Sequence, residues 1–320
     1  MLFPPFQNVQ FLPLHSGTIG LKEEMAMKRR NLLFLVVMMV LLVRLPEETP
    51  AKEVLKGTGM PRDQGQEMGW MNEFEYNHSA FRYLSPTTFL TVNYKSNGKG
   101  GWYFLTHVIV KDARQLNGAQ SFGNWGGDRE KPKDAAKRLG SILLTNGSYF
   151  KWEDSLPNGG DVFIVDGKYI PYRKDTANGY EIALKKDGTL YTPSPGTPAQ
   201  KMIKDGVKYT WGTCEDCLIE DGRKCEFRDL SWDSASYPRC AIGMVRPLEY
   251  YIITAGSTGH THGITLYEEQ EIFLRLGCTY ARGLDGGGSA ALIFEGRQIN
   301  RPVEGEGNER AVIDFLSVTD

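Results

Sequence analysis

The Asp-Gly dipeptides at Asp166-Gly167, Asp187-Gly188 and Asp221-Gly222 fall among short runs of β-patterned residues. Glycine enters the φ > 0 region without a Cβ clash, so Asp-Gly between two such runs closes a tight hairpin. The first separates DVFIV from KYI, the second separates YEIALKK from TLYT, and the third follows CLIE. A chain punctuated this way pairs sequential strands antiparallel and does not build a doubly wound sheet. The 36 Gly and 16 Pro in 320 residues continue the pattern elsewhere.

Around these turns the run WYFLTHVIV from Trp102 to Val110 is aromatic and β-branched and reads as a strand. Ser141–Thr145, Ala241–Val245, Tyr250–Ala255 and Ala311–Val318 read likewise. A short helix is expected over Lys133–Leu139, entered through Pro132 and stopped by Gly140. A stronger one starts at the capping box of Thr265 and Glu268, carries an apolar stripe of Leu266, Phe273, Leu274 and Leu276, and stops at Gly277. The expectation is α+β: a compact single domain of many hairpin-connected strands with two or three helices. The sequence shows no internal repeat.

The apolar run LLFLVVMMVLLV (32–43) follows Lys28, Arg29 and Arg30. At about 1.5 Å per residue it covers only about 18 Å, short of the roughly 30 Å of a bilayer core. It reads as a secretory signal over 27–51, with Thr49 and Ala51 as a small-x-small pair, and an uncleaved signal as the membrane-anchored alternative. Residues 1–26 are then an upstream start-site artefact, 52–100 an extended aromatic lead-in, and 101–320 the main domain. An exported protein, periplasmic, secreted or cell-surface, follows. Cys214, Cys217, Cys225 and Cys240 are expected to form disulfides there, with zinc as the second reading and Cys278 as the free thiol.

Lys and Arg number 37 against 39 Asp and Glu, a net charge of −2, which argues against a nucleic-acid partner. Chemistry is sought instead where glycine is hard to justify. In Leu284-Asp285-Gly286-Gly287-Gly288-Ser289 a strand ends in a carboxylate, three glycines follow, and a second strand is expected from Ser289. Three glycines cost roughly 0.5–1 kcal/mol each relative to Ala, so a close approach should require them. Their N–H groups form an anion nest into which Asp285 projects; no Walker or dinucleotide-binding motif is present. Asn146-Gly147-Ser148 follows a buried strand, and Arg239, Arg301 and Arg310 stand near strand ends, where guanidinium groups can clamp a phosphate. His260 and His262 alternate along the chain, a pattern that favours an exposed loop pair over a metal site. His107 is expected to be structural.

Taken in order, NGSYF (146–150), PRCAIG (238–243), HGITLYEEQEIFLRLGC (262–278), LDGGGSAALIFEG (284–296) and ERAV (309–312) resemble the phosphodiester glycosidase family from about His107 to Val318. The resemblance implies a compact α+β fold, cleavage of a sugar from a phosphodiester at the anomeric carbon, and family motif positions at Asn146, Arg239, Asp285, Gly286, Gly287, Ser289 and Arg310. Ser148 and Cys240 depart from the pattern, standing where many members have Gly and Thr.

Phosphate is already a good leaving group, so charge stabilisation matters more than a proton for such a bond. The expected assignment places Asp285 as nucleophile or base and Glu268 as second carboxylate. Arg239, Arg301 and Arg310 hold the phosphate with Ser289 and the Gly286, Gly287 and Gly288 amides, and Asn146 binds a sugar hydroxyl. The substrate is an envelope glycan or sugar phosphate, and no cofactor is called for. Two alternatives remain open: a non-catalytic envelope glycan-binding protein with aromatics between Trp70 and Tyr83 stacking on sugar, and a metal-dependent phosphodiesterase using His260, His262 and Asp285.

Overall fold

The computed structural model describes residues 80–213, 217–227 and 233–320. The signal segment, the lead-in up to residue 79 and Cys214 lie outside the described residues. Among the described residues the strands form three sheets, all antiparallel where paired, and three helices accompany them, which is the expected α+β class.

The eight-stranded sheet runs Ala80–Leu84, Thr88–Ser96, Trp102–Val110, Glu249–Ala255, Cys240–Arg246, Tyr280–Gly283, Cys217–Glu220 and Arg223–Lys224 in spatial order. Residues 80–100, read from sequence as part of the lead-in, thus contribute two of its strands. Thr88–Ser96 pairs along its whole length with Trp102–Val110. Trp102–Val110 alternates buried and half-buried residues, as a strand with one face on the core should.

Each Asp-Gly hairpin forms. Asp166 and Gly167 take φ of 50° and 72°, and Asp221 and Gly222 take 49° and 71°, the pair of positive angles of a type I′ turn. Phe163–Val165, Lys168–Ile170, Glu181–Lys185, Leu190–Tyr191 and Val207–Gly212 make the second sheet. Leu116–Gln120, Leu143–Asn146, Asp314–Val318, Leu292–Phe294 and Arg297–Gln298 make the third. The strand expected from Ser289 begins only at Leu292, because Gly287–Ser289 forms a 3₁₀ turn.

Helix Pro132–Leu139 opens on Pro132 and ends at Gly140 with φ 63°. Helix Leu266–Arg275 has both halves of its capping box: Glu268 N–H donates to Thr265 Oγ1 at 3.1 Å and Thr265 N–H to Glu268 Oε2 at 3.0 Å. Ala199–Lys204 is the third. Among the described residues no helix is long and apolar enough to cross a membrane.

The disulfide expectation needs correction at Cys240. Its side chain is fully buried with Sγ 3.0 Å from Thr145 Oγ1, and burial pushes its thiol up to about 12. Cys217 and Cys278 are thiols as well.

Candidate active site

The strand Tyr280–Gly283 delivers Asp285 and the glycine triplet to the end of the eight-stranded sheet, beside the end of Leu143–Asn146 in the third. Backbone bonds fix the junction. Leu284 N–H donates to Cys240 O at 2.7 Å and Asp285 N–H to Gly147 O at 2.9 Å. Asn146 locks it further: Nδ2 donates to Asp285 O at 2.6 Å, and Oδ1 accepts from Ala291 N–H at 3.1 Å. Asn146 is therefore a clamp across the glycine loop, and both ends of its amide are engaged by protein backbone rather than turned to a sugar.

The three glycines answer to three different constraints. A Cβ on Gly286 would stand 2.6 Å from Pro238 O. Gly287 has φ 57°, and its N–H donates to Pro238 O at 2.8 Å. A Cβ on Gly288 would stand 2.3 Å from Arg310 Nη2 and 2.6 Å from Glu304 Oε1. The close approach that the sequence called for is therefore real, but part of it is made by the protein itself. Gly287 N–H is engaged, whereas Gly286 and Gly288 N–H have no acceptor among the described residues.

Arg310 is the guanidinium at this loop. It forms an ion pair with Glu304, donates to Ser289 Oγ at 3.4 Å, and lies 5.1 Å from the ring centre of Trp152. Trp152 is 52% exposed and also carries Arg129 at 4.3 Å, so an open aromatic edge flanks two cations. Asp285 is nearly buried, at 9% exposure. On the opposite flank, Tyr237 and His260 stack at 5.2 Å, and a Cβ on Gly287 would meet Tyr237 Oη at 3.1 Å and His260 Cε1 at 3.6 Å. The loop after Asn300 reaches the same place because Gly259 N–H donates to Val303 O at 2.7 Å and Thr258 Oγ1 to Pro302 O at 3.0 Å.

Arg239 borders the triplet through its backbone, a Cβ on Gly286 standing 3.6 Å from its Cα, but its guanidinium is buried. The residue is 0% exposed, and its guanidinium donates to the backbone carbonyls of Ile264 at 3.1 Å and Ala235 at 3.2 Å. It braces the segment that carries Tyr237 and Pro238 and has no surface for a ligand. Glu268 is likewise occupied: beyond its capping role it accepts from Asn97 Nδ2 at 3.3 Å and lies 3.6 Å from Lys99 Nζ. It borders a cavity of about 570 Å³ with Asn97, Lys99, Tyr103, Tyr267 and Arg275, and no triplet residue lines that cavity. Arg301 is half-buried, and its carbonyl accepts from Asn300 Nδ2 at 3.3 Å.

His260 and His262 diverge. His262 Nδ1 is 2.7 Å from Gly100 O and its ring stacks on Trp102, while His260 lies on Tyr237. His260, His262 and Asp285 do not form a ligand cluster among the described residues, so the metal-dependent reading has no site there. His107 bonds Glu249 at 3.1 Å and stacks on Tyr251, a structural position as expected.

Glu304 and Trp152 were missed by the sequence reading, as was Asp314. Asp314 is fully buried behind the Asn146 clamp, accepting from Ser148 N–H and Oγ, both at 2.6 Å, and from Trp125 Nε1 at 3.3 Å. Burial pushes its carboxyl up to about 7, against the opposing pull of these donors. A Cβ on Gly147 would lie 2.4 Å from Asp314 Oδ1, which is why glycine follows Asn146.

Residues 140–319 match the family model described as NAGPA: Phosphodiester glycosidase. An uncharacterized SPbeta prophage-derived protein of Bacillus subtilis, YomE, is 34% identical over 170 residues, 45% of this chain. The chain spans about a quarter of that relative's length, 26%. The catalytic domain of zebrafish N-acetylglucosamine-1-phosphodiester alpha-N-acetylglucosaminidase, auto-inhibited by its pro-peptide, superposes with TM-score 0.59 at 19% identity, covering 74% of this chain and 84% of that domain. A hypothetical protein from Synechocystis gives TM-score 0.52 at 13% identity over 75% of this chain and 63% of its own.

Proposed function

The chain belongs to the phosphodiester glycosidase family, and we propose that it hydrolyses a sugar-1-phosphodiester at the anomeric carbon, outside the cytoplasm, with the glycine triplet as its active site. Family and fold support a glycosidase-like hydrolase. The observation that carries the finer reading is the convergence on three glycines of one nearly buried carboxylate, Asp285, and one guanidinium, Arg310, held by Glu304.

In this reading the phosphate sits against Arg310, Ser289 Oγ and the N–H groups of Gly286 and Gly288. Negative charge on the departing phosphomonoester is met by donors already in place. Asp285 either takes the proton from a water that attacks the anomeric carbon, or attacks it directly to form a glycosyl ester that water then hydrolyses. In both routes the C1–O bond breaks, one water is consumed, and the products are the free sugar and the phosphomonoester. Glu304 is the second carboxylate at the loop, in the place assigned from sequence to Glu268. It aligns Arg310. The open ring of Trp152 offers the sugar an apolar face to stack on.

The test is a panel of sugar-1-phosphodiesters, including UDP-N-acetylglucosamine, with free reducing sugar and sugar phosphate assayed separately. Free sugar released by wild type and not by Asp285→Asn is the expected result. Sugar phosphate as product would overturn glycosidic cleavage in favour of phosphodiester hydrolysis. Tight glycan binding without any product would favour the non-catalytic reading.

A further inference from the structure

The outer edge of the eight-stranded sheet holds a second cluster of reactive side chains. Cys217–Glu220 pairs with Tyr280–Gly283 on one side and with Arg223–Lys224 on the other. Side chains three apart on a regular strand point to opposite faces. Here the register shifts between Cys217 and Ile219, and such an irregularity re-aims the side chains that flank it. The turn at Asp221-Gly222 then folds Cys225 back, its N–H donating to Leu218 O at 3.1 Å. As a result Sγ of Cys217, Sγ of Cys225 and a carboxylate oxygen of Glu220 all lie within 4.8 Å of one another.

We propose that Cys217, Glu220 and Cys225 form a zinc site that clips this hairpin closed. Two thiolates and one carboxylate are a borderline-soft set that suits Zn²⁺ and not Ca²⁺ or Mg²⁺, which take oxygen ligands. Tetrahedral ligands with Zn–S of about 2.3 Å and Zn–O of about 2.0–2.2 Å stand about 3.6–3.8 Å apart, so small side-chain rotations close the observed set on an ion. The two thiols release their protons as the metal binds, and a water completes the fourth position. The scaffold is fixed in advance: Gln270 Nε2 donates to Leu218 O at 3.0 Å and to Cys225 O at 2.9 Å, and Lys224 pairs with Glu271. Helix Leu266–Arg275 therefore holds both cysteine-bearing segments in register.

The experiment uses the full chain, purified with reductant and zinc and then dialysed. Elemental analysis should find one zinc per chain. Replacement by Co²⁺ should give thiolate-to-cobalt charge-transfer absorption with the visible bands of a tetrahedral site. Cys217→Ser with Cys225→Ser should remove both signals. Glu220→Gln, at an exposed position that folding tolerates, should weaken Co²⁺ binding by at least the roughly 10–100-fold that even outer-shell partners contribute. Substoichiometric zinc without charge-transfer bands would overturn the site. So would metal retained by the double variant, or a non-reduced mass two hydrogens lower with Cys217 and Cys225 cross-linked, which would make the pair a disulfide.

Discussion

Asp285 and Glu268 are carboxylates that the sequence nominates for the same reaction, and the structure gives them opposite surroundings. Asp285 leads into three glycines, each excluded from carrying a Cβ by a neighbour or a positive φ, with a guanidinium on the far side. Glu268 closes a capping box, accepts from Asn97 and faces Lys99. The first is surrounded by conformational cost that contacts with Pro238 explain in part and the Arg310 guanidinium completes; the second is explained by its own helix. The contrast shows where to look for chemistry: at residues whose setting is expensive without them, not at every acid near a cavity. A cavity of about 570 Å³ lies beside Glu268, and no triplet residue lines it.

The sharpest break of this contrast is Asp285→Asn, expected to lower kcat on the order of 10⁴–10⁶-fold, as loss of a reacting group does. Urea unfolding should stay close to wild type, since the backbone of Asp285 makes the bonds that hold the junction. Turnover near wild type would return the site to Glu268. Next in size is Arg310→Ala, expected to reduce kcat/KM by about 10²–10³ through loss of a phosphate donor. The same change at Arg239 should act mainly on folding, because that guanidinium is buried against backbone carbonyls. Gly288→Ala sharpens the contrast from the backbone side. Its methyl would press on the flexible ends of Arg310 and Glu304, which can shift without moving backbone, so stability should change little while activity falls with the displaced guanidinium. A variant as active as wild type would show that the Arg310–Glu304 pair yields freely.

Much of the frame was legible in the sequence because its signals are local. Asp166-Gly167 and Asp221-Gly222 made the turns they announce, and Thr265 with Glu268 capped the helix they open. A hairpin between Phe294 and Arg297 went unread because Glu295-Gly296 lacks the Asp or Asn that usually marks one, although Glu295 takes φ 46°. The site was half legible. Asp285 and its glycines are consecutive, so their strangeness is visible in one line. Glu304 and Tyr237 reach the triplet from separate loops, and nothing local to either distinguishes it from a surface residue. Asp314 was hidden differently, inside an apolar run read only as a strand. The Gly147 that makes room for it stands out only when Asp314 is placed beside it.

Asp314 also separates support from chemistry by pH. Its carboxyl is raised from an ordinary 3.8 to about 7 in the folded chain, so the folded state binds the extra proton between those values. The stabilisation is full below about pH 4 and is lost as pH rises through about 7, so the urea midpoint should fall between about pH 5 and about pH 8. In Asp314→Asn that slope should flatten while Asp285 remains in place. An unchanged slope would assign the pH dependence to other groups.

The smallest effect tests the other half of the comparison. Glu268→Gln keeps an amide oxygen to accept from Thr265 N–H, as Gln does in capping boxes, but gives up the negative charge at the helix N-terminus and the attraction of Lys99. Loss of the charge at the first turn is worth roughly 0.3–1 kcal/mol, and the exposed Lys99 contact adds little. The expected result is a slightly lower urea midpoint with kcat and KM unchanged. Glu268→Ala should destabilise more, by about 1 kcal/mol, because the Thr265 N–H then loses its acceptor. If Glu268→Gln instead stopped turnover without moving the midpoint, the carboxylate would be acting on substrate. The helix cap would then be a consequence of its position rather than the reason for it.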